Sequence, residues 1–495
     1  MTAGSFGMNY QAPVNSRATG GSNAYAVLAG LLCLPFAFLG PNVALGIYAA
    51  LVLSIGMSLL QRPAEPPILM FIFLYQWTQA ATGPLYGNLM GVELDDLALN
   101  LGQHGFACFL ELTGVLCLAV GMRLAVGQID FNLGARIKAF VHNRPLGFWF
   151  RIYLAASLFG ALCATFASSA GGLRQPLLSL AQIKWAAYIL LTFATFSGQG
   201  RTRSIWIAVT LFEFTLSLGG FFSSFKDIFF YATLGLLGSG FRLRPAGIMI
   251  LGFFAVVLLS LGIVWSSVKI DYRDFVNKGS GQQVISIGYE ERINFLGKLV
   301  GDLDGPALSD GLDKFAHRLM YFEFFGAAIG NVPKNVPHTN GAIWSRAALS
   351  AFMPRLIFTD KAPVHDSELT RQYTGIRVTS YEVGTSISMG YMAEAYIDFG
   401  PIFMFVLILA LGAGLGLVHR WLLSRPGRDG VLGAAMSTFT LMQASAIETS
   451  ALKLIPAVLL CVVACLIILK FIAPLVWGVQ RAPSLAVPKP RLLDA

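Results

Sequence analysis

The sequence predicts an all-α integral membrane protein with about twelve transmembrane helices (about 10–14) and one large extracytoplasmic loop late in the chain. Three observations carry that prediction. Of 495 residues, 55% are hydrophobic and 12% charged, with a mean hydropathy of +0.65. A soluble domain carries about 25% charged residues, so this composition points to the bilayer as solvent. Apolar runs of spanning length then recur along the chain, and the cations between them alternate from one side to the other.

The runs lie near residues 24–40, 42–60, 66–86, 104–126, 148–169, 183–199, 204–221, 227–241, 245–267, 398–420, 430–447 and 454–478. "FLGPNVA" supplies a Gly-Pro turn between the first two. With the N-terminus cytoplasmic, the inner segments hold Arg17, Arg62, Arg123, Arg136, Lys138, Arg144, Arg201, Arg203, Arg242, Arg244, Arg420, Arg425, Arg428, Arg481, Lys489 and Arg491. The short outer loops hold Glu93, Asp95, Asp96, Arg174, Lys184, Lys226, Asp227 and Glu448. This distribution obeys the positive-inside rule and places both termini in the cytoplasm. The net charge of +9 therefore reports topology and anionic lipid, and no nucleic-acid partner is expected.

Residues 1–23 and 479–495 are polar and read as cytoplasmic tails, the first disordered and without a signal-cleavage pattern. Transmembrane helices fill 24–267 and 398–478. Between them, 268–397 forms the large outer loop with interfacial helices. Within it "DKFAHRLMYFEFFGAAIG" reads as one helix, with His317 beside Tyr321 and Arg318 beside Phe322 at i,i+4. The six cysteines all lie in apolar runs and read as packing residues.

No Walker loop, dinucleotide fingerprint, H-E-x-x-H or G-x-S-x-G occurs. The D-x-D of Asp302 and Asp304 reads as an exposed loop, with a metal role as its minor alternative, so no cofactor is expected. Attention falls on the loop and its flanks. "GAIWSRAALSAFM" enters a short helix that stops at Pro354, and Tyr391, Glu394 and Asp398 then share one helical face at the outer boundary. Glu111 and Glu213 sit deep in spans, either as functional acids or as protonated carboxyls bonded to a neighbouring helix. "YQWTQ" (Tyr75 to Gln79) suits a sugar-lined cavity or an interfacial aromatic belt.

The chain resembles the Wzy-type O-antigen and exopolysaccharide polymerases. The residues that carry the likeness are Gly341, Pro354-Arg355 followed by Lys361-Ala362-Pro363, and "MGYMAEAYIDFGPIF", which repeats the family's G-x-x-x-E-x-Y-x-x-F-G. The motif region covers about 70 residues, and the span count with its single late loop matches along the whole chain. The resemblance implies a GT-C-like, O-antigen-polymerase-like architecture in the bacterial inner membrane, with the loop periplasmic. It also implies glycosyl transfer between oligosaccharide repeat units carried on undecaprenyl pyrophosphate, with membrane lipids and the pathway's flippase and chain-length regulator as partners. Such a donor arrives activated, so neither nucleotide nor metal is needed.

On that basis Arg355 and Lys361 are expected to bind pyrophosphate, with Arg174, Lys226, Arg318, Arg346 and His338 as further substrate-binding candidates. Glu394, His365 and Asp366 are the unranked candidates for the catalytic base. Bland roles compete throughout: Arg355 as helix cap or snorkelling anchor, Lys361 in a solvated pair with Asp360, His365 and Asp366 in a turn, and Arg174 and Lys226 as interfacial anchors. An O-antigen ligase shares the donor. A polysaccharide flippase or proton-coupled transporter would use Glu111 and Glu213, and a secretion scaffold would use the loop for docking.

Overall fold

Among the described residues the apolar runs form helices, which close most of their backbone hydrogen bonds within themselves as a chain surrounded by hydrocarbon must. The computed structural model describes residues 19–62, 64–129, 131–141, 144–167, 169–170, 173–197, 203–218, 225–240, 245–280, 285–353, 365–378, 386–425 and 427–477. Among them the secondary structure is entirely helical. Residues 1–18 of the tail expected over 1–23, the whole tail expected over 479–495, and the candidates Arg355 and Lys361 lie outside the described residues.

The chain opens with α1 (Thr19–Ala37) and α2 (Val43–Leu60), followed by α3 (Ile68–Met90), α4 (Leu94–Leu97) and α5 (His104–Val126). Next come α6 (Leu133–Val141), α7 (Leu146–Ala167), α8 (Arg174–Ala181), α9 (Lys184–Phe196), α10 (Ser204–Leu218), α11 (Phe225–Gly238) and α12 (Pro245–Val276). Five helices make the late insertion: α13 (Tyr289–Gly301), α14 (Gly305–Leu319), α15 (Phe322–Asn331), α16 (Ala342–Phe352) and α17 (Asp366–Thr374). The chain closes with α18 (Gly390–Leu423), α19 (Gly427–Leu441), a 3-10 turn at Met442–Ala444, α20 (Ala451–Ile467), a π turn at Ile468–Ile472 and α21 (Ala473–Trp477).

A helix accompanies each of the twelve expected runs, but seven described segments are long and apolar enough to cross a membrane: Val43–Leu60, His104–Val126, Leu146–Ala167, Pro176–Phe196, Gly252–Val276, Gly390–Leu423 and Ala451–Val476. The shortfall has physical causes. At about 1.5 Å per residue, α10, α11 and α19 reach only about 21–23 Å against a hydrocarbon core of about 30 Å. The apolar part of α1 is confined to Ala24–Ala37. Although long, α3 buries Gln76, Gln79 and Asn88. Two boundaries also move: α1 starts at Thr19, inside the expected tail, and the insertion lies between the end of α12 at Val276 and the start of α18 at Gly390.

The helix expected across 313–330 is two helices. Its break falls at Met320, whose backbone is extended (φ −70°, ψ 118°). Tyr321 Oη donates to the Ser388 carbonyl beyond the break. Phe322 and Phe325 turn into the core while amphipathic α14 lies along α12. His317 and Tyr321 therefore do not share a helix face.

Two apolar cores result. The first gathers α2, α3, α5, α15 and α18 around Ile72, Phe73, Leu112, Phe322, Tyr391 and Ile408. The second gathers α6, α7, α9, α11 and α19 around Trp149, Tyr188, Phe193, Tyr231 and Phe439. Met442 packs against both, so the short turn after α19 marks the seam. Across the first core α5 and α18 run parallel at small-residue contact: Gly412 faces Leu118 and Gly416 faces Met122. Such G-x-x-x-G spacing lets helix backbones approach closely in lipid. An added Cβ at Gly416 would stand 2.5 Å from the Met122 carbonyl oxygen. Replacing Gly412 by Ile should cost about 1–3 kcal/mol of overpacking, read as a lower melting temperature in detergent, whereas Gly414→Ile, where a Cβ meets open space, should leave it near wild type.

Gly400 bends α18 with φ 72° and ψ −176°, a backbone region essentially restricted to glycine. The ten residues before this bend carry the acids described next. Four of the six free cysteines, Cys108, Cys163, Cys461 and Cys465, are buried, consistent with packing roles.

Candidate functional site at the seam between the two cores

Helices too short to cross the bilayer leave room at their ends, and at the seam that room is polar. There α11 begins and α19 finishes, beside a cavity of about 320 Å³. Lys226 and Asp227 of the first turn of α11 line it, with Gln182 from the α8–α9 junction and Gln443, Ser445 from the turn after α19. Tyr75, Phe230 and Tyr231 form its aromatic wall. An acid in the first turn of a helix is favoured by the positive end of the macrodipole, which accounts for Asp227 as a charged residue here.

Lys226 Nζ donates to Tyr75 Oη at 3.4 Å and stands 5.9 Å from the Tyr75 ring centroid. The Tyr75 ring is braced by Phe71 at 6.0 Å and by Phe230, edge-on, at 5.5 Å. Opposite, Tyr231 stacks on Trp185 at 4.7 Å, nearly parallel. Asp227 lies within electrostatic reach of both Lys226 and Lys184. The cavity thus presents a cation, an anion, two amides, hydroxyls and flat rings.

Its floor is the connection 442–450, which is not helical after Ala444 yet runs beside the middle of α3. Irregular backbone is tolerated at that depth only when protein groups satisfy it. Gln76 Nε2 donates to the Ala444 carbonyl at 2.9 Å, and the Ile447 amide donates to Gln79 Oε1 at 2.9 Å. Gln79 Nε2 donates to Glu448 Oε2 at 3.2 Å. From the other side the Tyr391 amide donates to the Thr449 carbonyl at 3.0 Å, and Tyr391 Oη donates to Gln76 Oε1 at 2.7 Å. Glu448, half-buried, is within electrostatic reach of Lys226.

Glu394 belongs to this scaffold. It is fully buried, and its Oε2 accepts from the Ala451 amide at 2.7 Å, satisfying the first residue of α20. Asp398, on the same face, does the same for α16: it accepts from the Ile343 amide at 3.1 Å, the Trp344 amide at 2.8 Å and the Thr339 hydroxyl. Buried Asp366, at the start of α17, pairs with Lys453 Nζ of α20 at 2.5 Å. Ser386 joins them, donating to Asp366 at 3.3 Å and accepting from Lys453 at 3.0 Å. His365 is half-buried at the N-cap position of α17.

The remaining candidates scatter. Arg174 is exposed at the start of α8, Arg318 is exposed on α14 and Arg346 is exposed on α16. His338 packs at the α18 bend, with Nδ1 3.1 Å from the Ile397 carbonyl and its ring 5.7 Å from Tyr396. Asp304 of the D-x-D serves as N-cap of α14, accepting from the Ala307 amide at 2.9 Å. Of the expected cations among the described residues, Lys226 is the one that lines the cavity.

Both deep acids find definite environments. Glu213 pairs with Lys184 Nζ at 2.6 Å and accepts from Tyr153 Oη at 2.5 Å. Glu111 is buried in α5, with no hydrogen bond to either oxygen among the described residues. Sequence reasoning named Tyr75 and Lys226 but not Asp227, Gln182, Gln443 or Tyr231 as site residues. The one signal for Asp227 was adjacency: a Lys-Asp pair opening an apolar run in an outer loop.

A family model described as a domain of unknown function, DUF8712, matches residues 147–425. The matched segment contains Lys226, Asp227, Asp366 and Glu394, while Tyr75 and the 442–450 connection lie outside it. No curated protein and no solved structure matches the chain.

Proposed function

The chain belongs to the DUF8712 family, whose domain has no assigned function, and for it we propose a polysaccharide polymerase that joins oligosaccharide units carried on a polyprenyl diphosphate at the outer face of the bacterial inner membrane. The observation that supports this reading is the seam cavity, where Lys226 and Asp227 stand side by side against Tyr75, Phe230 and Tyr231. Aromatic faces suit sugar rings, amides and hydroxyls suit sugar hydroxyls, and a few polar groups converging in a recess of about 300–1,000 Å³ is the ordinary anatomy of a small-molecule site.

The reaction needs little else. Asp227 takes the proton from the acceptor sugar hydroxyl. The freed oxygen forms a bond to the anomeric carbon of the donor as the bond from that carbon to the diphosphate oxygen breaks. The lipid diphosphate leaves with its added negative charge facing Lys226. Glu394 and the Asp366–Lys453 pair hold the 442–450 floor and α20 in register with α18. In this reading the seven long apolar segments span and the other five apolar helices are embedded beside them, α13–α17 form the outer insertion, and the parallel course of α5 and α18 agrees with both running inward.

A transport reading would need an ionisable group free to load and unload at depth. Glu213 is committed to Lys184 and Tyr153 and does not fit that role, whereas Glu111, with neither oxygen hydrogen-bonded among the described residues, does, so the enzyme is favoured by the cavity and not by the deep acids. Reconstitution in liposomes with lipid-diphosphate-linked oligosaccharide tests the proposal. A ladder of lengthened lipid-linked products, formed without nucleotide and insensitive to EDTA, is the expected result. Transfer only to an acceptor not carried on polyprenyl diphosphate would replace the polymerase with a ligase. Movement of intact donor across the bilayer with no new glycosidic bond would remove the enzyme reading altogether.

A further inference from the structure

The wall of the seam cavity fixes which way one of its amides faces. Trp185 Nε1 donates to Gln182 Oε1 at 2.7 Å. An indole N–H can only donate, so the Gln182 atom that meets it is the amide oxygen. Trp185 is buried and stands behind the wall, whereas Gln182 lines the cavity. The arm left to the cavity is therefore Nε2, which presents two N–H donors and no acceptor.

The indole is itself held in place. Its ring stacks on Tyr231 at 4.7 Å with 10° between the planes, and stands edge-on to Tyr188 at 5.9 Å. Lys184 Nζ lies 4.7 Å from the ring centroid and is fixed by Glu213 at 2.6 Å. A ring so enclosed cannot turn its N–H elsewhere without breaking the stack, so Gln182 is a pinned amide rather than a free one. Beside it α8 supplies apolar surface. The helical backbone continues into Gln182 (φ −74°, ψ −6°), so Leu178 lies one turn earlier on the same face. Leu178 and Met442 both line the cavity.

What meets the Gln182 arm must accept hydrogen bonds. A sugar hydroxyl, donor and acceptor at once, gains no more from a donor-only arm than water does. An anion is poorly served there: Gln182 is neutral, and Lys226, the lining cation among the described residues, already has Asp227 and Glu448 within electrostatic reach. An acyl carbonyl carrying a methyl group satisfies both the N–H donors and the apolar surface. We infer that Gln182, positioned by Trp185, selects N-acylated sugars, its N–H groups donating to the acetamido carbonyl while the methyl packs on Leu178. The inference rests on the reading that the seam cavity binds the sugars of the repeat unit, and it names their class.

The test titrates the purified protein in detergent with the methyl glycosides of N-acetylglucosamine and of glucose, followed by saturation-transfer NMR. Wild type should bind the N-acetyl glycoside about 10-fold more tightly, the ordinary yield of one neutral hydrogen bond and one buried methyl. Gln182→Glu still gives Trp185 an oxygen but turns a second oxygen to the acyl carbonyl, and should cut the preference to about twofold or less. Gln182→Met, which adds no charge, should do the same. Trp185→Phe keeps a ring against Tyr231 yet frees the amide to turn, so the preference should fall about twofold. In the Gln182→Met background it should not fall further, as expected of a residue that acts through Gln182; a further loss there would remove Trp185 as a positioning residue. Each readout is a ratio between two sugars on one preparation, so a loss of folded protein lowers both alike and leaves it unchanged. A wild-type ratio near one, or Gln182 variants with the wild-type ratio, would overturn the inference even where ladders of product form. A Gln182-dependent ratio with no ladder would keep the inference and remove the polymerase.

Discussion

Asp227→Asn is expected to lower the rate of chain extension by about 10²–10⁴-fold, the ordinary contribution of a positioned general base. The carboxylate and its amide replacement have nearly the same shape, so substrate binding should hold, with the loss falling on kcat and KM changing little. Lys226→Met should act differently. It removes a charge facing the leaving diphosphate, which is present in the bound donor and grows in the transition state, so both KM and kcat should suffer. The pair is measured by initial rates of ladder formation with purified protein in liposomes. A near-wild-type rate for Asp227→Asn would return the role of base to Glu394, His365 or Asp366. Glu394→Gln is informative in this respect. Its amide oxygen still accepts from Ala451, so a scaffold role predicts modest loss, whereas a catalytic role predicts loss as large as at Asp227.

Much of the fold was legible because the bilayer makes hydropathy nearly equivalent to secondary structure: where a chain has no water to satisfy its backbone, an apolar run becomes a helix. What hydropathy does not report is length in the finished packing. The run at 227–241 looks like any other span, yet α11 ends at Gly238 and its start is taken up by cavity-lining Lys226 and Asp227. The break between α14 and α15 was hidden for a related reason. The aromatic crowding of 315–325 reads as one interfacial face, and only the Tyr321 bond to Ser388, across 67 residues, explains why the chain turns there.

The site was legible as residue types and not as partnerships. Tyr75 and Lys226 stand out as an amphipathic aromatic and a cation at the ends of runs, but their contact spans 151 residues. The floor of the cavity depends on Gln76 reaching Ala444 across 368 residues. Glu394 and Asp398 were conspicuous as acids near a membrane boundary, where the choice between chemistry and capping turns on what faces them. The faces opposite are the N-termini of α20 and α16, groups whose first amides need acceptors.

Asp398→Ala, on α18, should be among the single changes that most destabilise the docking of α16, by about 3–5 kcal/mol. The Ile343 and Trp344 amides are orphan donors of the first turn of α16, and both are hydrogen-bonded to Asp398 at a buried position. Each buried donor left without an acceptor costs about 1–3 kcal/mol, and the lost partner here is a carboxylate, whose hydrogen bonds are the stronger kind. The Thr339 hydroxyl, free to rotate, adds less. Asp398→Asn retains one acceptor oxygen and should lose about half as much. Thermal unfolding in detergent, with proteolysis of the 332–353 segment followed in parallel, checks both. The expected order is wild type, then Asn, then Ala, with cleavage near α16 rising as the cap is lost. Ala within about 1 kcal/mol of wild type would mean that α16 is held by its packing against α18 and α20 rather than by this carboxylate, and the buried acid of α18 would then need another role.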